Sequence, residues 1–458
     1  MKKQNLIKAI FLSGILQLLI VDTASAQWQS LFNGKDLTGW NQKNGAAKYT
    51  VENGEIVGTT VANTPNSFLC TNAEYGDFIF EVDLKVENTM NSGIQFRSLS
   101  KPDYQNNRVH GYQMEVDPTD RAWSGGIYDE ARRDWLYIPN INPETKKAFK
   151  KGSWNRFRIE AIGNTIRTWI NNIPVAHLID DMTAKGFIAL QVHSIYGDMK
   201  EGMKIRWKNI NIQTTNLKTA PLDDIVVVNL LPNNLSAQEK KNGVQLLFDG
   251  KTTDGWRRIY QEKFPEKGWQ VKNGELSVLG TEAGQTATGN DIITQKQYGA
   301  FIFQFDFKLT EGANSGVKYF VTETYDGAAI GPEFQILDDE KHPDAKMGSI
   351  GNRTLASLYD LIPSLPEKRA RKKIGEWNRG MIIAYADGNV EHFLNGWKLV
   401  EYKRGTPYFN ALVARSKYEK LPNFGLAPAG HLLLQDHGNL VSYRNLKIQE
   451  IKKTTMTK

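Results

Sequence analysis

Along Phe78–Val86 the chain alternates, with Phe80, Val82, Leu84 and Val86 on one parity and Ile79, Glu81, Asp83 and Lys85 on the other. A period of two places the first group on one face of a β-strand and the second on the opposite face. The same phase returns at Phe301–Leu309, where Phe303, Phe305, Phe307 and Leu309 alternate with Gln304, Asp306 and Lys308. Turn pairs punctuate both halves, at Asn53-Gly54, Gly163-Asn164, Asn273-Gly274, Gly388-Asn389 and Asn395-Gly396, and these residues favour tight hairpins. Helical pattern is scarce. Ser236 followed by Glu239 fits a capping box, which predicts one helical turn over Ala237–Lys241.

The chain repeats itself. LFNGKDLTGW at Leu31 returns as LFDGKTTDGW at Leu247, and YGDFIFEVDLKV at Tyr75 returns as YGAFIFQFDFKL at Tyr298. ENGE at Glu52 matches KNGE at Lys272, Asn91-Ser92-Gly93 matches Asn314-Ser315-Gly316, and Trp154-Asn155 matches Trp377-Asn378. LQVH at Leu190 matches LQDH at Leu434, so the order is kept throughout. A period near half the chain means a duplicated domain, since solenoid repeats run to roughly 20 to 50 residues. The expected organisation is a first domain over 27–213, a linker over 214–243, a second domain over 244–453 and a tail at 454–458. Many short strands in units of about 200 residues predict an all-β fold, two tandem jelly-roll sandwiches.

Composition narrows the setting. Of 458 residues, 40% are hydrophobic and 23% charged, the balance of a folded chain. Cys70 is the single cysteine, which excludes an internal disulfide framework and any multi-cysteine metal site. Lys2, Lys3 and Lys8 precede an apolar run from Ala9 to Val21, and Ala24-Ser25-Ala26 follows it. This reads as a secretory signal peptide over 1–26, so the expected location is periplasmic or extracellular with no integral membrane segment after cleavage. Removing it takes away three lysines and Asp22, and the net charge falls from +7 to +5. No dense basic stripe with interleaved aromatics appears, and nucleic acid is not an expected partner.

Candidate chemistry lies on three strands of each repeat. Gln113, Glu115 and Asp117 occupy alternate positions and share a face; in the second domain Glu333 and Gln335 do so, and the acid and the amide exchange places. Gln191 with His193, and Gln435 with His437, share faces at equivalent positions. An imidazole can exchange protons near neutral pH and an amide can hold a sugar hydroxyl. Lys318 stands where the first domain has Gln95, and Arg97 where the second has Phe320, so a cation is expected to shift along the groove. Tyr128 and Tyr359 are placed in loops beside it, as aromatic surfaces for a sugar. The plain alternatives are a solvated strand face for the acids and amides, a packing role for the histidines and a core or loop-anchoring role for the tyrosines. Serine-hydrolase, nucleotide and zincin fingerprints are absent. No organic cofactor is indicated. Glu115, Asp117 and a histidine are the residues that would hold a divalent cation, although their spacing does not select one.

With the motifs in hand, the chain resembles the 3-keto-disaccharide hydrolase domain family over nearly its whole mature length. The second domain carries the resemblance in LFDGKTTDGW, the NSG turn, EFQILDD, the Ser416-Lys417-Tyr418 segment and GHLLLQDHGNLVSYRNLKI; the first carries it in NSGIQFRS, GYQMEVD, GGIYDEARRDWL and GFIALQVH. The resemblance implies a concanavalin-like jelly roll and cleavage of glycosides oxidised to a 3-ketone. It also implies an upstream oxidoreductase that makes the ketone. A ketone at C3 acidifies the C2 proton, so a base and an enolate stabiliser are required. Glu333 or His437 is the expected base of the second domain, with Lys318, Gln335, Gln435, Tyr359 and Arg444 around the substrate. Glu115 or His193 is the counterpart in the first, with Gln113, Gln191, Arg97, Asp117, Tyr128 and Arg206. The first domain departs from the family at Gln113 and LQVHS, which leaves a carbohydrate-binding role open for it. Two other readings stand beside this one. A conventional two-carboxylate hydrolase would use Glu115 and Asp117, for which the second domain shows no same-face match, and a glycan-binding module would not cleave at all.

Overall fold

The computed structural model describes residues 27–87, 90–197, 199–280, 289–323 and 329–451. The expected signal peptide and tail lie outside them. The described residues build four β-sheets, two for each repeat. Among the described strand pairs, all are antiparallel except Ile173–Ile179 with Val228–Asn229.

In each repeat a back sheet is centred on the strand whose alternation was legible in the sequence. Phe78–Val86 lies between Asn155–Ile162 and Lys204–Gln213, and Phe301–Leu309 between Trp377–Ala384 and Val441–Glu450. Phe80, Val82, Leu84 and Val86 point into one core, and Phe303, Phe305, Phe307 and Leu309 into the other. Each core is closed by a front sheet. The first runs Asp134–Tyr137, Ile127–Glu130, His110–Val116, Ser92–Leu99, Phe187–Val192, Ser67–Thr71 and Trp40–Asn44. The second runs Trp256–Arg258, Ile292–Thr294, His431–Leu434 and Asn314–Glu323, with Glu333–Leu337 on the latter's far edge. Each repeat is thus an all-β jelly-roll sandwich.

Three details depart from a reading of the sequence alone. Gln304 and Asp306 are buried although their parity faces away from the core, because Arg379 and Asn445 bond Asp306 where the second sandwich meets the first. Residues 214–243 are more than a connector: Val228–Asn229 adds a strand to the first back sheet. The helical turn Ala237–Lys241 forms with its capping box, Ser236 and Glu239 each bonding the other's backbone. Glu239 also meets Lys447 at 2.8 Å, with both side chains 2% exposed. The two sandwiches touch through Trp123 and Trp397, whose ring centroids are 4.7 Å apart, and Lys372 Nζ donates to the Arg133 carbonyl at 2.7 Å.

Candidate active site

The outward faces of the two front sheets can be compared position by position. In the first sandwich one row reads Cys70, Ala189, Gln95, Gln113, Tyr128 and Trp135, and the next reads Phe68, Gln191, Gly93 and Glu115. In the second the first row reads Ile293, Leu433, Lys318 and Glu333, with Tyr359 beside Glu333 through its N–H bond to the Glu333 carbonyl. Its next row holds Gln435, Gly316 and Gln335, and continuing the Ile292–Leu434 pairing by one residue sets Asp291 beside Gln435. Lys318, Glu333 and Asp291 therefore occupy the places that Gln95, Gln113 and Phe68 hold in the first sandwich.

These substitutions change how the polar groups are satisfied. Gln95 Nε2 donates to Gln113 Oε1 at 2.7 Å, and Gln113 Nε2 donates to Glu115 Oε2 at 3.0 Å. Asn91 donates to Glu115 Oε1 at 2.7 Å, and Arg121 lies 3.5 Å from it. Arg121 Nε reaches Asp117 at 2.7 Å. Burial pushes the Glu115 carboxyl up to about 7, against the pull of Asn91, Arg121 and Gln113. Asp117 is held below its usual range by Thr119 and Arg121, which outweigh its own burial. The first groove is a closed polar chain in which each carboxylate is engaged. Gln191 is the exception, fully buried opposite Phe68 with no partner for its amide among the described residues.

The second groove is the reverse. Glu333 is 3% exposed, yet among the described residues its carboxylate makes no hydrogen bond or ion pair, and neither does the Lys318 ammonium across the rung. The carboxylate leans over Gly316, where an added Cβ would sit 2.1 Å from Glu333 Oε1. A glycine at that place is what lets the acid lie flat on the sheet. Lys417 brings a second ammonium, 4.0 Å over the Tyr359 ring. Burial lowers the Lys417 pKa while Glu333 and Asp360 raise it. Tyr359 is anchored by its hydroxyl to Asp344 at 2.8 Å, and Arg353 bridges Asp344 and Asp360. The Tyr418 hydroxyl is buried without a partner among the described residues. Among the described residues the Glu333 carboxylate shares the groove with the Lys318 and Lys417 ammonium groups without a hydrogen bond or ion pair to either, an arrangement that is costly to bury unless a substrate completes it.

The remaining expected residues divide. Gln435 and Gln335 lie in the second groove, and His437 stands exposed at its rim, 5.9 Å from the His342 ring. His193 is half-buried at the rim of the first, with burial lowering its pKa and Nδ1 2.8 Å from the Ser194 carbonyl. Tyr128 is on a strand and not in a loop, its hydroxyl donating to Asp134. Arg97 leaves the groove: a backbone bulge with φ 45° turns it away, to Asp77 and the Gly76 and Gly163 carbonyls. The expected shift of a cation along the groove therefore does not occur.

Arg206 and Arg444 are also elsewhere, because the chain crosses to the back sheet before reaching them. Arg206 pairs with Glu52 and Glu55. Arg444 stacks 4.1 Å over Trp377 and lines a cleft of about 760 Å³ between the sandwiches, remote from Glu333. Glu115 and Asp117, the expected carboxylate pair, share Arg121; the second sandwich, expected to have no same-face match, has one in Glu333 and in Asp291, which immediately precedes Ile292–Thr294. Among the described residues no group of three or more His, Cys, Asp or Glu is arranged to hold a metal ion.

Asp291 and Lys417 were not singled out in the sequence. For Lys417 the Ser416-Lys417-Tyr418 string was a signal. It belongs to residues 404–430, which link Trp397–Lys403 to His431–Leu434; in the first sandwich the equivalent link is only 180–186. For Asp291 the signal was the contrast with Phe68 in the two repeats.

Comparison with known proteins agrees with the duplication. The family described as 3-keto-alpha-glucoside-1,2-lyase-like domain matches residues 27–213 and again 243–449. A 3-keto-disaccharide hydrolase of Bacteroides thetaiotaomicron is 34% identical over 231 residues, 45% of this chain and 78% of that protein. A provisionally assigned glycosyl hydrolase of Parabacteroides distasonis, known from a crystal structure, is 32% identical with a TM-score of 0.43, covering 48% of this chain and 100% of that one. A carbohydrate-binding module of Bacillus subtilis is 18% identical with a TM-score of 0.28, covering 38% and 96%.

Proposed function

Because the chain belongs to the 3-keto-alpha-glucoside-1,2-lyase-like domain family, in two tandem copies, we propose that it cleaves glycosidic bonds of sugars carrying a ketone at C3, and that the second sandwich does so. The observation that carries this reading is the Glu333 carboxylate in one groove with the Lys318 and Lys417 ammonium groups, none of them hydrogen-bonded or ion-paired among the described residues. Glu333 takes the proton from C2, whose acidity the neighbouring ketone raises. The electron pair moves into the C2–C3 bond and charge develops on the ketone oxygen, which Lys318 and Lys417 stabilise. The enolate then collapses, the C1–O bond breaks and the aglycone leaves. Water adds at C1 while Glu333 returns its proton to C2, so the net change is hydrolysis.

Gln435, Gln335 and Tyr359 hold hydroxyls or stack on the ring, and His437 stands at the entrance. In the first sandwich Gln113 and Gln95 stand where the base and the cation would be, and Glu115 is engaged by Asn91, Gln113 and Arg121, so this reading gives that groove no part in the reaction. The protein acts outside the cytoplasm once its leader is removed, downstream of an enzyme that oxidises a sugar alcohol to the ketone. A divalent cation bound at the ketone oxygen would do the work assigned to the lysines, and a chelator separates the two.

The test incubates the mature protein, with and without chelator, with paired glucosides that differ only in oxidation at C3. Release of the aglycone from the keto compound alone is expected, with no effect of chelator. The Glu333 and Asp291 carboxylates favour one other reading, a conventional acid/base pair. Release from the unoxidised glucoside would put it first.

A further inference from the structure

Resting on that reading, we infer that Asp291 is the acid that protonates the departing glycosidic oxygen. Proton removal at C2 and departure at C1 occur on adjacent carbons, and an alkoxide leaving from C1 needs a proton of its own, since the one Glu333 takes from C2 is the one it returns there. For an anti departure the acid stands across the sugar from the base. The Glu333 carboxylate lies over Gly316, and Gly316 is separated from Asp291 by Gln435, the residue that follows the strand His431–Leu434. Two interstrand spacings are roughly 9.6 Å, enough for one sugar ring between side chains that reach toward each other.

The Asp291 carboxyl is positioned and half free. Its Oδ1 accepts the Asp436 N–H at 2.8 Å, and its other oxygen has no partner among the described residues. Burial pushes its pKa above the usual range, with Glu333 and Asp436 adding to the rise and Lys318 opposing it, which favours the protonated form an acid needs. The repeat supplies independent support. The first sandwich lacks the base and the cation of this reaction, and at the position of Asp291 it has Phe68, whose ring packs against Cys70, Val109 and Phe187. The three groups are absent together.

The departing oxygen transfers as follows: the C1–O bond breaks toward oxygen, the Asp291 carboxyl gives its proton to that oxygen, and the resulting carboxylate is reprotonated by the water that adds at C1. The assignment is tested with Asp291→Asn, which retains an oxygen for the Asp436 N–H, on matched methyl and 4-nitrophenyl 3-keto-glucosides in deuterated water. The methyl compound needs an acid for departure, whereas 4-nitrophenolate does not. Expected for D291N is a loss of about 10²-fold in methyl glycoside cleavage, little loss on the nitrophenyl compound, and continued deuterium entry at C2 of unreacted methyl glycoside. Glu333→Gln should abolish both exchange and release. Equal losses of D291N on both glycosides, or exchange that falls in step with release, would overturn the assignment of Asp291 while leaving Glu333 as base. A wild-type protein that neither exchanges nor cleaves would overturn the underlying reading and the assignment with it.

Discussion

Gln95 and Gln113 are joined by a 2.7 Å hydrogen bond on the rung that, one repeat later, sets Lys318 opposite Glu333. The first pair is neutral and satisfied; the second carries opposite charges and makes no hydrogen bond or ion pair among the described residues. The backbone register of this rung is the same, so on it the difference lies in the side chains, and with Lys417 from the longer 404–430 link it assigns different work to two copies of one fold.

The lysines are expected to act on the transition state. Lys417→Met should lower kcat by about 10²-fold with a much smaller change in KM, since the charge it faces develops only as the enolate forms. Steady-state kinetics on a 3-keto-glucoside checks this. A rise in KM at constant kcat would assign Lys417 to binding alone.

Glu115 makes the first sandwich pH-sensitive. Its folded pKa, about 7, is above the ordinary 4.5, so the folded state holds a proton that the unfolded state has lost between those values. Stability contributed by this group therefore falls as pH rises from 4.5 to 7, by roughly 3 kcal/mol. Glu115→Gln should raise stability at pH 7.5 and flatten the pH dependence of the denaturant midpoint between pH 5 and 7, settings chosen around those values at about one-unit spacing. An unchanged slope would remove Glu115 as its source.

Sequence and structure agree where local pattern decides the outcome. The alternation of Phe78–Val86 and Phe301–Leu309, the capping box at Ser236 and the swap of Gln113 for Glu333 all follow from spacing along the chain, and each appears in the fold. Arg206 and Arg444 do not follow the pattern, because nothing in the residues between His437 and Val441 reveals that the chain changes sheets. Asp291 immediately precedes the strand Ile292–Thr294, whose partner His431–Leu434 ends just before Gln435, far away in sequence, and its neighbourhood exists only once the sheet is assembled. Lys417 was visible as part of a motif, but its place over Tyr359 depends on the long excursion of residues 404–430.

The buried pair of Lys447 and Glu239 pins the segment between the sandwiches to the second back sheet. Lys447→Met alone should cost about 3 to 5 kcal/mol, because it leaves the Glu239 carboxylate buried without its cation. The double variant Lys447→Met with Glu239→Gln should recover most of that loss in chemical denaturation. A double variant as unstable as the single would show that the pair acts through packing.

The central claim is that one sandwich cleaves and the other does not. It is tested most directly by measuring aglycone release from one 3-keto-glucoside by Glu333→Gln and by Glu115→Gln, each verified as folded by its unfolding transition. The expected result is that E333Q loses at least about 10²-fold and E115Q retains the wild-type rate at pH 7. The reverse pattern, or equal losses in both, would contradict the assignment of catalysis to the second sandwich.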